Sequence, residues 1–226
     1  SEFISTVSHE LRTPLTSISG SLGLVESGTL GALPEKAERM VSIAHRNTEQ
    51  LKELVNDLLD MEKLVSGKMT MNLQLHELDP VIKEAVERLG TYALESGVTV
   101  RVQSSSPKIV SKIDRSRLGQ AFTNLLSNAI KFSPPDGQVL VQIKVEDSRV
   151  RIRVIDQGPG IPEGFRGRIF QKFAQADSSD TRGKRGTGLG LAITKEIMTQ
   201  MGGNVGFQSR EGEGSTFWLE LEQAKA

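Results

Sequence analysis

Apolar residues recur at Phe3, Val7, Leu11, Leu15, Ile18, Leu22 and Val25, at spacings of four and three that trace one stripe along a helix. The run ESGTLGALPEK then interrupts the pattern with glycines and with a proline suited to open a second helix. Met40, Val41, Ala44, Thr48, Leu51, Val55, Leu58 and Val65 form the stripe of that second helix. The turn chemistry predicts an antiparallel helical hairpin over residues 1–66. Two helices alone leave apolar surface uncovered, and the usual remedy is a four-helix bundle made from two copies. An extended coiled coil or a membrane-binding helix pair would also cover such a stripe, but the turn and the helix lengths favour the hairpin.

From Ser66 onward the texture changes. SGKMTMNLQ reads as a linker into a short strand, and LDPVIKEAVERLGTYALESG reads as one helix. VTVRVQ and IVSKID follow as strands, DRSRLGQAFTNLLSNAIKFS as a helix, and QVLVQIKVE with RVRIRVID as a hairpin of alternating strands. A glycine-rich, charged loop over residues 157–187 precedes a helix, TGLGLAITKEIMTQM, and a last strand pair, GGNVGFQS and STFWLELE. Helices interleaved with hairpins argue for an α+β domain over residues 67–226, with a mixed or largely antiparallel sheet and helices over one face.

Composition narrows the function more by exclusion than by direction. Lys plus Arg and Asp plus Glu number 28 each, so no net charge draws the chain toward nucleic acid or an anionic membrane. With no cysteine, disulfides, thiolate metal sites and cysteine nucleophiles are excluded. No apolar run is long enough to span a bilayer and no signal peptide is visible. The expectation is a soluble, cytoplasmic fragment, an excised core of a longer protein that is itself either membrane-anchored or free.

Four groups of residues have the types needed for chemistry. On the first helix, at roughly 100° per residue, His9 falls nearly opposite the apolar arc, with Glu10 beside it and Thr13 one turn on. Pro14 removes an amide that would bond the Glu10 carbonyl, which predicts a bend just after the histidine. On the helix 114–132, Asn124, Asn128 and Lys131 line one face and Leu118, Phe122, Leu125, Leu126 and Ile130 the other. Amide oxygens suit Mg²⁺ and a lysine suits phosphate, although an ordinary polar face would look the same. Asp156 ends a strand before Gly158 and Gly160, as an acceptor for a base amino group or as an Asp-Gly turn. Gly186, Gly188 and Gly190 stand where a loop becomes a helix, a place for anion-binding amides. The run is neither a dinucleotide fingerprint nor a P-loop.

Taken together and in this order, these segments resemble the bacterial sensor histidine kinase family. SHELRTPL resembles its phosphoacceptor box, NLLSNAIKFS its asparagine box, DQGPGI its first glycine box, FQKFAQADSS its phenylalanine box and GTGLGLAI its second glycine box. The resemblance covers essentially the whole chain, as a dimerisation and phosphotransfer hairpin followed by an α/β sandwich of the gyrase, chaperone and histidine kinase type.

The resemblance implies transfer of the γ-phosphoryl group of Mg-ATP to a histidine and then to an aspartate of a response-regulator receiver domain, with phosphatase activity toward that receiver as a second capacity. A nucleotide-binding signalling scaffold or a phosphatase-biased member is the alternative. Carried over residue by residue, His9 is the phosphoacceptor, Glu10 its orienting base and Thr13 a water-positioning residue. Asn128 is the Mg²⁺ ligand, supported by Asn124, and Lys131 contacts phosphate while Phe132 lies near the adenine. Asp156 receives the adenine amino group. Gly158 and Gly160, together with Gly186, Thr187, Gly188, Leu189 and Gly190, let the backbone close on the nucleotide. Where many members carry a lid arginine this chain has Gln175, which leaves Lys172, Arg182, Lys184 and Arg185 as the cationic candidates. Related ATPases place a glutamate where Asn124 stands, and an amide cannot act as a base near neutral pH. The implied partners are a second copy of the chain and a receiver domain.

Overall fold

The computed structural model describes residues 2–67, 69–105, 108–175 and 186–224, with the side chains of residues 2–6, 9 and 65 outside that set. Two compact units result, Ser1–Met69 and Thr70–Ala226.

The first unit is a helical hairpin. Helix α1 spans Glu2–Glu26 and runs unbroken through Pro14. Helix α2 spans Glu35–Val65, with Pro34 as its N-cap residue. The turn between them contains Gly28 and Gly31 at φ of 72° and 110°, a region that favours glycine. Three polar links fix the antiparallel register: Arg12 donates to Asn56 Oδ1 at 2.8 Å, Ser19 bonds Glu49, and His45 Nδ1 meets Glu26 Oε2 at 2.5 Å.

Leu15, Val55 and Leu59 are buried, yet much of the predicted stripe is not: Val7 is 37%, Leu11 45% and Ile18 48% exposed. Met40, Ile43, Leu51 and Leu54 of α2 are also exposed. The physical reason is geometric. One helix covers only one side of another, and a stripe this wide has more apolar surface than a single partner can bury.

The second unit is built on a five-stranded sheet. Its elements in chain order are β1 (Gln74–Glu77), α3 (Leu78–Arg88), α4 (Gly90–Glu95), β2 (Thr99–Ser104), β3 (Val110–Ile113), α5 (Arg115–Phe132), β4 (Gln138–Glu146), β5 (Arg149–Asp156), α6 (Glu163–Arg166), α7 (Gly190–Gln200), β6 (Asn204–Arg210) and β7 (Gly214–Glu222). The strand order is β2-β4-β5-β7-β6, with β2 parallel to β4 and every other pair antiparallel. Strands β1 and β3 form a separate antiparallel pair. The result is the mixed sheet expected of an α+β domain.

Alternation along the strands separates the two faces of the sheet. Val139, Val141, Ile143, Val150, Ile152, Val154, Leu219 and Leu221 are buried on the inner face. Helix α5 packs there against β5 and β7, with α3 and α7 beside it. Its apolar side, including the fully buried Leu118, Phe122 and Leu126, forms the centre of the core. Each such side chain contributes roughly 1.5–3 kcal/mol on burial. Asp114 caps the helix, its Oδ1 accepting from the amides of Ser116 and Arg117 at 3.0 and 3.1 Å.

Several element boundaries differ from expectation: strand ends shift by one or two residues, and a short helix, α6, lies within the expected loop. The helix predicted over Leu78–Gly97 is two helices joined at Leu89, where Gly90 and Thr91 are weak helix formers. The last helix begins at Gly190 rather than Thr187, because Gly188 has φ of 71°, outside the right-handed helical region.

Candidate functional site

The C-terminal half of α5, the end of β5 and the loop before α7 converge within the second unit. Asn124, Asn128 and Lys131 are half-buried along one face of α5, as the helical spacing predicts, while the opposite face is in the core. Burial of Leu125, Leu126, Ala129 and Ile130 fixes the rotation of the helix and so presents the polar face.

Asp156 is the last residue of β5 and is only 8% exposed. Its Oδ1 accepts from the amides of Gly158 at 2.8 Å and Ser215 at 3.2 Å, and no described residue bonds Oδ2. Burial pushes the carboxyl pKa above the usual aspartate value, against the opposing effect of those two amides. Gly158 is wedged between this carboxylate and the end of α5. A Cβ there would lie 2.9 Å from both Asp156 Oδ1 and the Phe132 carbonyl oxygen.

The second glycine run meets α5 from the other side. Asn124 Nδ2 donates to the Gly190 carbonyl at 3.0 Å. A Cβ on Gly186 would lie 3.2 Å from Lys131 Nζ, which itself sits 5.2 Å above the Phe132 ring. Thr187 Oγ1 accepts from the Leu189 amide at 3.2 Å, and Leu189 is fully buried. Gln175 donates to the Gly186 carbonyl at 2.9 Å, tying together two points on either side of residues 176–185.

The glycines have a different immediate reason from the one expected. At Gly188 a Cβ would sit 2.9 Å from the Phe173 backbone, and at Gly160 it would collide with the Arg210 carbonyl. These residues let the protein approach its own backbone. Gly190 has only an ordinary contact, 3.5 Å from Asn124 Cγ, so sterics do not demand glycine there.

The remaining expected residues lie on other segments of the chain. His9, Glu10 and Thr13 belong to α1 in the first unit; Glu10 and Thr13 are exposed, and the side chain of His9 lies outside the described residues. Lys172 is exposed, and Arg182, Lys184 and Arg185 lie outside the described residues.

Ser215, Thr194 and Gln175 touch the site although their residue types do not point to it. Ser215 acts through its main-chain amide, which carries no residue-type signal. Thr194 shows one faint mark, a hydroxyl within the apolar stripe of α7. A cleft of about 620 Å³ reaches Asp156 from the side of β6 and β7, walled by Arg166, Gln208, Arg210 and Ser215. Asn124 and Asn128 do not line it.

The donor set suits a cation that arrives with its own anionic ligands. Among the described residues no three His, Cys, Asp or Glu side chains gather in a metal-binding group. Asn128 supplies a half-buried amide that bonds no described residue. Mg²⁺ keeps most of its waters and takes one or two protein oxygens beside phosphate, so a single amide oxygen fits that role. No described helix is long and apolar enough to cross a membrane.

Comparison with known proteins matches both units. The family model of the His Kinase A (phospho-acceptor) domain matches residues 1–67, and that of the histidine kinase-, DNA gyrase B- and HSP90-like ATPases matches residues 113–225. The chain is 38% identical over 222 residues to the circadian input-output histidine kinase CikA of Synechococcus elongatus, covering 96% of this chain and 29% of CikA. It is 36% identical over 227 residues to the signal transduction histidine-protein kinase BarA of Escherichia coli, covering 98% of this chain and 24% of BarA. The crystal structure of full-length ShkA in complex with AMPPNP is similar at 34% identity and a TM-score of 0.80, over 100% of this chain and 46% of ShkA. The chain thus spans less than a third of the length of the two curated relatives.

Proposed function

The chain belongs to the sensor histidine kinases, and from that premise we propose that it transfers the γ-phosphoryl group of Mg-ATP to His9 and then to an aspartate of a receiver domain. The observation that carries this reading is the convergence around α5. Asp156 meets the end of that helix through Gly158, and the 186–190 loop is bonded to Asn124.

In this reading Asp156 Oδ2 accepts from the adenine amino group while Oδ1 stays engaged by Gly158 and Ser215. Lys131 and the amides of Gly186 to Gly190 receive the phosphates. Asn128 would hold Mg²⁺, which when bound offsets charge on the phosphate oxygens. Nε2 of His9 attacks the γ-phosphorus, the N–P bond forms, the bond to the β-phosphate oxygen breaks, and ADP leaves. Glu10 takes the proton from Nδ1.

Asn124 occupies the place from which a carboxylate would activate water. An amide cannot accept that proton, which leaves the phosphoryl group for the histidine. One of the lid cations Lys172, Arg182, Lys184 and Arg185 supplies further charge compensation. The exposed Val7, Leu11, Ile18, Leu51 and Leu54 support a homodimer, since a second hairpin would cover them. The exposed position of Thr13 beside Glu10 is open to a receiver and supports removal of its phosphate as a second activity.

Incubation with γ-labelled ATP and Mg²⁺ tests the reaction. The expected product is an acid-labile, alkali-stable phosphoprotein that His9→Gln abolishes while ATP binding persists. An unlabelled parent chain that still binds ATP would overturn the kinase in favour of a nucleotide-binding scaffold.

A further inference from the structure

Thr194 lies on α7 among Ala192, Ile193, Ile197 and Met198 and is 0% exposed. A hydroxyl buried in that stripe is costly unless it is bonded. Its Oγ1 lies 3.4 Å from the Ala121 carbonyl oxygen and 3.4 Å from Asn124 Nδ2. A carbonyl only accepts, so the Thr194 proton goes to Ala121 and the Thr194 oxygen accepts from Asn124. The same Nδ2 donates its other hydrogen to the Gly190 carbonyl at 3.0 Å.

These contacts leave the Asn124 amide one orientation. Turning it over would set Oδ1 against the Gly190 carbonyl, acceptor against acceptor, and would draw the Thr194 proton away from the Ala121 carbonyl. Both hydrogens of Nδ2 are used on α7, and Oδ1 takes no hydrogen bond from a described residue. Asn124 shares its half-buried face of α5 with Asn128, one helical turn on.

We propose that Thr194 is a positioning residue for nucleotide binding, engaging Nδ2 of Asn124 so that the Asn124 carbonyl oxygen is held beside Asn128 for Mg-ATP. The proposal rests on the ATP-dependent reading above. It assigns Asn124 two tasks at once: its nitrogen anchors the start of α7, and its oxygen serves the ligand. Thr194 couples them, because its oxygen takes the second hydrogen of Nδ2 while the Gly190 carbonyl takes the first, and the two together aim the oxygen.

The test compares the full chain with Thr194→Val, which keeps the shape and removes the hydroxyl, and Thr194→Ser, which keeps the hydroxyl. ATP affinity is measured in Mg²⁺ and in EDTA, and hydrogen exchange of the Asn124 side-chain amide is followed by NMR without nucleotide. Thr194→Val is expected to weaken Mg-ATP binding about three- to tenfold, the scale of one hydrogen bond, and to leave binding in EDTA unchanged. The Asn124 amide exchanges faster in Thr194→Val, and Thr194→Ser restores both readouts. Equal losses in Mg²⁺ and EDTA without rescue by serine would show a packing role and overturn the proposal. Thr194→Ala repeats the comparison if valine disturbs the core. A parent chain that binds no ATP overturns the proposed function and this inference with it, whereas a parent and a Thr194→Val variant that bind equally overturn the inference alone.

Discussion

The Ser215 amide donates to Asp156 Oδ1 at 3.2 Å, across paired positions on β5 and β7. Together with the Gly158 amide at 2.8 Å it commits one oxygen of the carboxylate and leaves the other for a ligand. This pairing decides what an amide at position 156 would do. In Asp156→Asn the carbonyl oxygen must stay with the two backbone donors, which turns the NH₂ toward the place of the adenine amino group. Donor then faces donor. ATP affinity is expected to fall about tenfold or more, the scale of a hydrogen bond to a charged group. A 6-oxo purine triphosphate should lose less, so titration of both nucleotides against both proteins checks the geometry.

The same substitution makes a stability prediction of opposite sign. Burial raises the folded-state pKa of Asp156, so the folded protein binds this proton more readily than the unfolded chain. Its contribution is most favourable below the unfolded pKa and is lost as pH rises through the higher folded value. At neutral pH the ionised carboxylate therefore costs stability. Asp156→Asn should raise Tm of the nucleotide-free protein at pH 7 and narrow its difference from the parent as pH falls.

Asp114 works the other way. Although burial acts to raise its pKa, hydrogen bonds from Asn72, Arg117 and Ser116 outweigh that effect and lower it below the usual 3.8. Stability from this group is present above the unfolded pKa and lost as pH falls through the lower folded value. Asp114→Ala removes the cap of α5 and the link to the Asn72 amide at 3.0 Å. A loss of about 1–2 kcal/mol at pH 7 is expected, shrinking below pH 3.8, and denaturant melts across that range would show it.

Gly188→Ala should separate the loop from the fold. The left-handed φ of 71° costs a residue with a Cβ roughly 1–2 kcal/mol, and the added carbon would meet the Phe173 backbone at 2.9 Å. The loop bounds the site, while the centre of the core lies between α5 and the sheet. Nucleotide affinity is expected to drop about tenfold with only a small change in Tm, because the strain, converted at 1.4 kcal/mol per decade, falls on the docked loop. Calorimetry of binding and of unfolding on one sample distinguishes the two effects.

Ile18→Glu places a charge on the exposed apolar side of the hairpin, where the native side chain is 48% accessible. Burying that carboxylate against a second copy would be unfavourable, so the dimer should dissociate at concentrations where the parent remains paired. Light scattering over a dilution series measures this, and unchanged ATP binding would show that the second unit is intact.

The two faces of α5 were legible from its spacing alone. Asn124, Asn128 and Lys131 fell on the polar face because a helix repeats every 3.6 residues, and burial of Leu125 and Leu126 then had only one way to turn. Asp156 was legible for a similar reason, since strict alternation along β5 ends on it. The break at Leu89 was not, because the apolar period continues across Gly90 and only local helix propensity marks the boundary. The stripe of α1 is apolar in the sequence, but its width alone could not tell which part α2 would cover.

What the sequence by itself determined was therefore local: helix faces, strand alternation and the residue types gathered in each segment. What only the tertiary structure decided was which segments meet. Ser215 reaches Asp156 across 59 residues, and Asn124 reaches Gly190 across 66. Such pairings depend on strand order and helix packing, and hydrogen bonds through main-chain atoms leave no periodic trace in residue type. The glycines show the difference plainly. Their positions suggested space for a nucleotide, whereas packing shows that Gly158, Gly160 and Gly188 first make room for the chain itself.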